Sequence, residues 1–214
     1  ALADTRDASY RGLQLFGIDG SIYDVPDTEA NSNFFGRSSG GRGKAAFPQV
    51  RKVSLVELGT HLEVGLKHGG WNSSEKTLAL DLLPLIPENS LTLFDSGFFS
   101  YSLWIAIISR SRVLMRVGNG MKLTPFKTLA DGSYLAYVYA DSDAQRRSVL
   151  ARATIVRVVE YTIDDPQRVG HQVRHRLITN LLDESVYPGI ELIILYHERW
   201  EQELVNDEQK THQD

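Results

Sequence analysis

The order of strand-like and helix-like segments is the feature that most restricts the fold of this chain. Strand patterns open it at residues 12–26, 49–58 and 61–69. The first strand is expected to end near Asp19, because Asp-Gly is a turn-forming pair, and Gly59 is expected to join the other two. The Gly- and Ser-rich residues 30–48 are expected to form a loop. Helix and strand patterns alternate after that, which indicates an α/β protein.

The alternating part contains two helix patterns and two strand patterns. Residues 72–86 begin with an Asn-x-x-Glu capping box and place leucines at helical spacing. A short buried strand is expected within 90–99 and should end at Asp95. A short helix over 101–109 and a strand over 112–117 follow. An initial set of antiparallel-looking strands followed by this alternation is the order of elements of an RNase H-like fold, a mixed sheet flanked by helices.

Residues 118–187 have a different character. Asn119-Gly120 and Asp131-Gly132 predict tight hairpin turns, and strand patterns cover residues 133–140, 153–163 and 172–180. No strong helix pattern occurs before Pro188-Gly189, which opens a final helix. The expected domain division is therefore a first part of an RNase H-like catalytic core over 1–117, an all-β insertion over 118–187, and a C-terminal helix that completes the core over 188–214.

The composition excludes several classes of protein. The 214-residue chain is 42% hydrophobic and has no cysteine, so a sizeable core is possible, but disulfides and cysteine-bound zinc are not. No apolar run approaches the length of a membrane span. No signal peptide is recognisable, and the chain starts with Ala and stops inside a helical pattern. We therefore expect a piece of a longer protein with no membrane partner.

Charge is unevenly distributed along the chain. Residues 183–214 hold nine acidic residues against Arg199 and Lys210, a net charge of −7, so the other residues carry +3 of the chain's total of −4. The stretches 37–52 and 110–127 each hold five basic residues and no acidic one. Basic surfaces beside an acidic helix suit a protein that binds a phosphate backbone and cations. A solvated, charge-balanced surface is the commoner explanation of such stretches.

Three carboxylates are candidates for a metal site. Asp19 and Asp95 are expected at strand ends, which would converge on one edge of the sheet if the two strands are neighbours, and Glu203 could approach from the final helix. Oxygen ligands suit Mg²⁺ or Mn²⁺, and a pair of such ions can carry out phosphoryl transfer. Each residue also has an ordinary interpretation: a turn for Asp19, a helix cap for Asp95 and a surface position for Glu203.

Four residues of the final helix share one narrow stripe. Steps of three, four and seven residues return to nearly the same side of a helix at about 100° per residue. These steps connect Tyr196, Arg199, Glu203 and Lys210. The ordinary interpretation is an ion pair between Arg199 and Glu203 on a solvated face, worth a few tenths of a kcal/mol.

Five segments together resemble DDE transposases of the insertion-sequence-four family: GIDGSIYDVPDTEANSNFFG, PQVRKVSLVELGTH, LTLFDSGFFSY, LADGSYL and YHERWEQE. The resemblance covers residues 12–212. Its most specific element is a signature of Tyr, two residues, Arg, three residues, Glu, six residues and Lys. This sequence meets the signature at Tyr196, Arg199, Glu203 and Lys210.

The resemblance implies that Asp19, Asp95 and Glu203 form a catalytic triad that binds two Mg²⁺ or Mn²⁺ ions. In that arrangement Asp19 bridges both ions, Asp95 holds one and Glu203 holds the other. The implied activity is metal-dependent DNA strand cleavage and strand transfer in cut-and-paste transposition. The implied fold is RNase H-like with a β insertion before the glutamate helix.

The implied partner is double-stranded DNA, both the transposon ends and the target. Arg199 and Lys210 would contact phosphates near the cleaved end, Tyr196 would add its hydroxyl, and Arg110 and Arg112 would line the DNA path. A homodimer on DNA, a bacterial cytoplasmic location with nucleoid association, and a separate end-binding domain before residue 1 are also expected. Two alternatives stay open: an inactive DNA-binding relic, and an RNase H-like nuclease without strand transfer.

Overall fold

The computed structural model describes residues 9–40, 43–140, 153–164 and 172–197. These residues divide into two compact units. The first unit runs to Thr92 and includes Leu103–Ser111. The second unit includes Leu93–Ser102 and continues from Arg112.

The first unit is built mainly on antiparallel strands. In chain order they are β1 (Ser9–Tyr10), β2 (Leu13–Asp24), β3 (Ser39–Gly40), β4 (Gly43–Lys44), β5 (Gln49–Glu57), β6 (Leu62–Gly70) and the start of β7 (Ser90–Phe94). The strand order is β6-β5-β2-β7 with β1 paired to β2, while β3 and β4 pair only with each other in the described residues. Ile18, Val53 and Leu55 have no solvent exposure and form the centre of its core. The strands predicted at 49–58 and 61–69 are confirmed.

The first strand is longer than the sequence predicts. The expected end near Asp19-Gly20 is wrong, because β2 continues in register with β5 as far as Asp24. Gly20 is therefore an extended residue and not part of a turn. A Cβ at this position would lie 3.0 Å from Cδ of Glu75. The glycine leaves room for the Glu75 side chain, whose Oε1 accepts a 3.1 Å hydrogen bond from Arg51.

A helix occupies the start of the segment that was expected to be a loop over 30–48. Helix α1 (Glu29–Phe35) is capped by Thr28, whose hydroxyl accepts a 3.2 Å hydrogen bond from the Asn31 N–H. Gly36 ends the helix with φ of 73°, a left-handed conformation that favours glycine. The sequence carried both signals, a capping Thr before Glu and a Gly after two aromatic residues.

The helix predicted over 72–86 is shorter than expected. Helix α2 (Glu75–Leu80) begins after the N-cap Ser74 and not after the Asn of the predicted capping box. A separate 3₁₀ turn (Leu83–Leu85) follows. Pro84 lies inside this turn, and its missing N–H and fixed φ prevent the α-helix from continuing.

The second unit contains the end of β7 and five further strands. They are β8 (Arg112–Val117), β9 (Lys127–Thr128), β10 (Tyr134–Tyr139), β11 (Ala153–Thr162) and β12 (Arg174–Thr179). Their order is β7-β8-β12-β11-β10-β9, and the pairs from β8 to β9 are antiparallel. The strands predicted at 90–99, 112–117, 133–140, 153–163 and 172–180 are confirmed, with ends shifted by a few residues.

Two further helices agree with the sequence. Helix α3 (Tyr101–Ile108) buries Leu103, Trp104 and Ile107. Helix α4 covers 189–197 within the described residues, directly after Pro188 as predicted. In the described part of 118–187 no helix occurs.

The two predicted hairpin turns differ in outcome. Asp131-Gly132 joins β9 to β10, and Gly132 adopts the left-handed φ of 84° that such a turn requires. Asn119-Gly120 is a turn but not a hairpin, because β8 before it pairs with β12 and β9 after it pairs with β10. The Asn119 side chain instead donates a 2.9 Å hydrogen bond to the Arg174 carbonyl.

The chain is therefore an α/β protein with a large mixed sheet flanked by helices. Every residue of β7 is buried, as expected for a central strand. The RNase H-like topology and the division at 1–117, 118–187 and 188–214 stay predictions. Within the described ranges, no helix combines the length and the apolar character needed to cross a membrane.

Replacement of Gly70 by Ala should destabilise the first unit by about 1–3 kcal/mol. The new Cβ would lie 2.6 Å from the Phe35 carbonyl oxygen, which already accepts a 3.0 Å hydrogen bond from Trp71 N–H. Backbone at that distance must move. Gly120→Ala is the control, because a Cβ there meets nothing within 4 Å. Chemical denaturation of both variants measures the difference, and equal stabilities would contradict the packing of α1 against β6.

Candidate active site

Asp19 lies in the middle of β2 and is half-buried. It follows Ile18, which has no solvent exposure. Because side chains alternate along a strand, Asp19 points to the face of the sheet opposite the Ile18 side chain. Its partner across the pair is Ser54 of β5. The carboxylate therefore rises from a fixed strand position rather than from a turn.

Asp95 follows the last residue of β7. It occupies the N-cap position of a 3₁₀ turn (Ser96–Phe98) but its side chain makes no capping hydrogen bond. The ordinary interpretation of Asp95 as a helix cap thus holds for its backbone position but not for its side chain. Within the described residues no Arg or Lys forms an ion pair with it. Its carboxylate is half-buried, at the end of a strand with no exposed residue.

Tyr196 connects α4 to the end of β7. Its side chain is 1% exposed. The hydroxyl donates a 3.2 Å hydrogen bond to the Phe94 carbonyl and lies 3.5 Å from Oδ1 of Asp95. A helix residue thus reaches both the backbone and the carboxylate at the strand end. The predicted contact of Tyr196 with DNA stays a prediction.

The start of α4 is held by a buried arginine. Arg157 of β11 has no solvent exposure. Its Nε donates to the Ser133 hydroxyl at 2.8 Å, and one terminal nitrogen donates to the carbonyls of Tyr187 at 2.6 Å and Leu181 at 3.4 Å. The other terminal nitrogen donates to Oδ2 of Asp131. These contacts join β11, the β9–β10 hairpin and the segment before α4.

Asp131 completes this arrangement from the hairpin turn. Its Oδ2 accepts a 2.8 Å hydrogen bond from Gly189 N–H at the first turn of α4. Its Oδ1 accepts from the N–H and the hydroxyl of Ser133 at 3.1 and 2.5 Å. Burial alone would raise the pKa of the Asp131 carboxyl, but the hydrogen bonds from Ser133 and Gly189 and the charge of Arg157 hold it below its ordinary value. The sequence identified Asp131 only as a turn residue and did not identify Arg157.

The basic stretch 37–52 is largely paired within the first unit. Its ion pairs are Arg37 with Asp27, Arg51 with Glu75, and Lys52 with Glu63. In the stretch 110–127, Arg110 and Arg112 are exposed, and Arg110 donates a 3.4 Å hydrogen bond to the Pro84 carbonyl. The second stretch therefore presents more cationic surface than the first.

Three of the predicted site residues, Arg199, Glu203 and Lys210, lie outside the described residues. Within the described residues, no group of three His, Cys, Asp or Glu side chains could hold a metal ion. The assignment of Asp19, Asp95 and Glu203 to one site stays a prediction, as do the DNA contacts of Arg110 and Arg112.

Comparison with known proteins gives consistent matches. Residues 11–213 match the family model described as the transposase DDE domain. The chain is similar to the transposase InsG for insertion sequence element IS4 from Escherichia coli (strain K12), with 30% identity over 197 residues, 90% of this chain and 43% of the relative. It is also similar to the putative transposase InsZ of the same organism, with 35% identity over 99 residues, 46% of this chain and 33% of the relative. The chain thus spans less than half the length of these two curated relatives.

A solved structure of endonuclease V from Bacillus subtilis aligns with 77% of this chain and 63% of that protein, at 13% identity and a TM-score of 0.28. A TM-score below 0.5 does not establish a shared fold.

Replacement of Tyr196 by Phe should lower the free energy of unfolding by about 1–2 kcal/mol, because a buried hydrogen bond to the Phe94 carbonyl is lost while the ring stays in place. Tyr137→Phe is the matched control, since the structure gives its hydroxyl no hydrogen-bond partner in the described residues. Urea denaturation measures both variants. Equal stability of the two would show that the Tyr196 hydroxyl is not bonded as described.

Proposed function

Because the chain belongs to the transposase DDE domain family, we propose that it is the catalytic domain of a DNA transposase. In this proposal it cleaves DNA strands at the ends of a mobile element and transfers them to target DNA, by metal-dependent cut-and-paste transposition. The observation that carries the proposal is the environment of Asp95. Its carboxylate stands at the end of a buried strand, within 3.5 Å of the hydroxyl of Tyr196, the first residue of the four-residue signature.

Asp19, Asp95 and Glu203 would hold two Mg²⁺ or Mn²⁺ ions. Asp95 fits this role because its side chain neither caps the following turn nor pairs with a cation in the described residues. Carboxylate oxygens are also the ligands that these hard cations prefer. Bound there, the ions would activate a water or a 3′-hydroxyl and stabilise the leaving oxygen.

The proposal assigns Asp19 and Asp95 to one site, and the chain segments that precede them share hydrogen bonds within the first unit. Strands β2 and β7 are neighbours, and the Gln14 N–H donates a 3.1 Å hydrogen bond to the Asn89 carbonyl where both begin. The Asn89 side chain adds a 2.8 Å hydrogen bond to the Gly12 carbonyl. From Gln14 and Asn89, Asp19 is five residues further along the chain and Asp95 is six.

The proposed DNA contacts follow from the chemistry of the basic side chains. Arg199 offers a planar fork that binds phosphate in a bidentate manner, and Lys210 offers a point charge. The Tyr196 hydroxyl is already bonded to Phe94, so a contact with DNA would require it to exchange partners. We propose that the protein acts as a homodimer, since two transposon ends that are cut together need two active sites, and that it works in the bacterial cytoplasm on nucleoid DNA.

Fe²⁺ can test the metal site by replacing Mg²⁺. With ascorbate and peroxide, bound Fe²⁺ generates hydroxyl radicals that cut the nearby backbone. We expect cuts near Asp19, Asp95 and Glu203 in the parent chain, and their loss in Asp95→Asn. Asp81→Asn is the matched control, because Asp81 is an exposed carboxylate at the end of α2. Cuts that persist in Asp95→Asn would remove Asp95 from the metal site.

Activity assays on the parent and on Asp95→Asn distinguish a transposase from an inactive DNA-binding relic and from a nuclease without strand transfer. Asp95→Asn should lose DNA cleavage and strand transfer, yet be at least as stable as the parent without metal, because it removes one of three mutually repelling charges. Labelled transposon-end DNA and thermal melts measure these properties. Parent protein that binds DNA without cutting would be a relic, and cutting without strand transfer would indicate a nuclease.

The basic stretch 110–127 predicts a specific salt dependence. Replacing Arg110 and Arg112 by Ala should weaken binding to any duplex and reduce the slope of log K against log salt by about 0.9 per lost phosphate contact. The control removes the same charge from another surface, Lys67→Ala with Lys76→Ala. Equal slopes for the two double variants would place Arg110 and Arg112 on a solvated face, away from DNA.

A further inference from the structure

We propose that Asp131 and Arg157 are positioning residues for the active site. They fix the first turn of α4 and thereby set the place at which Tyr196 holds Asp95. The inference rests on the proposed function only in assigning Asp95 to the metal site. We call the contacts among Asp131, Ser133, Arg157 and Gly189 the α4 clamp.

The hydrogen bonds of the clamp require a carboxylate at position 131. Oδ1 accepts hydrogen bonds from the N–H and the hydroxyl of Ser133. Oδ2 accepts hydrogen bonds from the N–H of Gly189 and from a terminal nitrogen of Arg157. All four partners are donors, so both oxygens must accept. An Asn side chain would turn its NH₂ group toward one of these donor pairs. The position of Gly189 is thereby tied to the charge of Asp131.

Arg157 fixes the segment that leads into α4. Its acceptors include the carbonyls of Leu181 and Tyr187, on either side of the turn before the helix. A buried guanidinium that loses an acceptor bears the full cost of desolvation. The segment therefore has one favourable position relative to β11.

The effect of the clamp reaches Tyr196 through two turns of helix. Gly189 and Tyr196 are seven residues apart, which is about 10 Å along a helix axis. At the far end, the Tyr196 hydroxyl bonds to Phe94 and approaches Asp95. A shift of the first turn would move that hydroxyl by a similar amount. Hydrogen bonds tolerate only a few tenths of an ångström, so the contact would be lost.

Gly189 leaves space for the clamp. A Cβ there would lie 2.8 Å from Oδ2 of Asp131 and 3.3 Å from a methyl carbon of Val159. Oδ2 cannot move away easily, because Arg157 and the Gly189 N–H both hold it. Gly189→Ala thus disturbs the clamp without removing any charge. Elsewhere in a helix Gly→Ala is normally stabilising.

Hydrogen–deuterium exchange of the metal-free chain tests the inference with Asp131→Asn. The matched control is Asp183→Asn, because Asp183 forms the same Asp-x-Ser turn, accepting from the N–H and hydroxyl of Ser185 at 2.9 and 2.6 Å. Its second oxygen accepts no hydrogen bond from the described residues. We expect Asp131→Asn to speed exchange about tenfold or more in 189–197 and in 94–98, with no change in β5 and β6. Asp183→Asn should leave 94–98, β5 and β6 unchanged, because none of its hydrogen bonds reaches Gly189.

Gly189→Ala should reproduce the exchange pattern of Asp131→Asn and lower Tm by several degrees, about 3 °C or more. Gly118→Ala is its control, since a Cβ at Gly118 meets nothing within 4 Å. Faster exchange in every segment would indicate general loss of stability and would overturn the inference. Faster exchange in 189–197 without a change in 94–98 would overturn it as well.

A double-variant cycle tests the route through Tyr196. If the clamp acts on 94–98 by way of the Tyr196 hydroxyl, Asp131→Asn should add little to the exchange already caused there by Tyr196→Phe. Additive effects would contradict that route. These measurements use neither metal nor DNA, so their failure is distinct from failure of the proposed function, which the Fe²⁺ cuts and the DNA cleavage assay decide.

Discussion

Arg157 is a fully buried guanidinium, and a charge without solvent is tolerated only where the protein supplies every partner. Its partners come from two separate parts of the chain: the β9–β10 hairpin through Asp131 and Ser133, and the segment before α4 through the carbonyls of Leu181 and Tyr187. The strands of the second unit and the start of α4 therefore cannot be placed independently. The position of the described part of α4, which contains Tyr196, depends on this requirement.

The same requirement acts on two chain regions that the proposed site would bring together. Phe94 ends a strand whose residues are all buried, and Asp95 follows it directly; such a strand has little freedom to shift. Tyr196, which is 1% exposed, donates a hydrogen bond from its hydroxyl to the carbonyl of Phe94 at that strand end. One end of the described helix is thus held by Arg157 and Asp131, and the other by Phe94. A carboxylate in such a setting is oriented before any ligand binds, which is the condition for an effective metal ligand.

Local pattern predicted most strands, because period-2 alternation and turn residues report directly on pairing. The prediction from local pattern failed where a contact with a distant part of the chain determines the conformation of a residue. Gly20 follows an Asp and resembles a turn, but it is extended and gives space to Glu75. For the candidate site, the sequence singled out Asp95 because its place after an apolar run carries a signal, and its role stays a prediction. Arg157 was missed because its acceptors are 24 to 30 residues away, and only a charged residue inside an apolar strand hinted at them.

Mutual repulsion explains why a site of this kind needs a scaffold that works without metal. Three carboxylates that converge without cations repel one another, and that repulsion favours any movement that separates them. A strand position such as Asp19 can resist it through paired neighbours, but a residue on a helix has no such ladder to hold it. Resistance to this repulsion then has to come from contacts that hold the first turn of the helix. Asp131, paired with the buried guanidinium of Arg157, holds the first turn of α4 in this way. Burial raises the pKa of Asp131, but the hydrogen bonds from Ser133 and Gly189 and the charge of Arg157 hold it below its ordinary value.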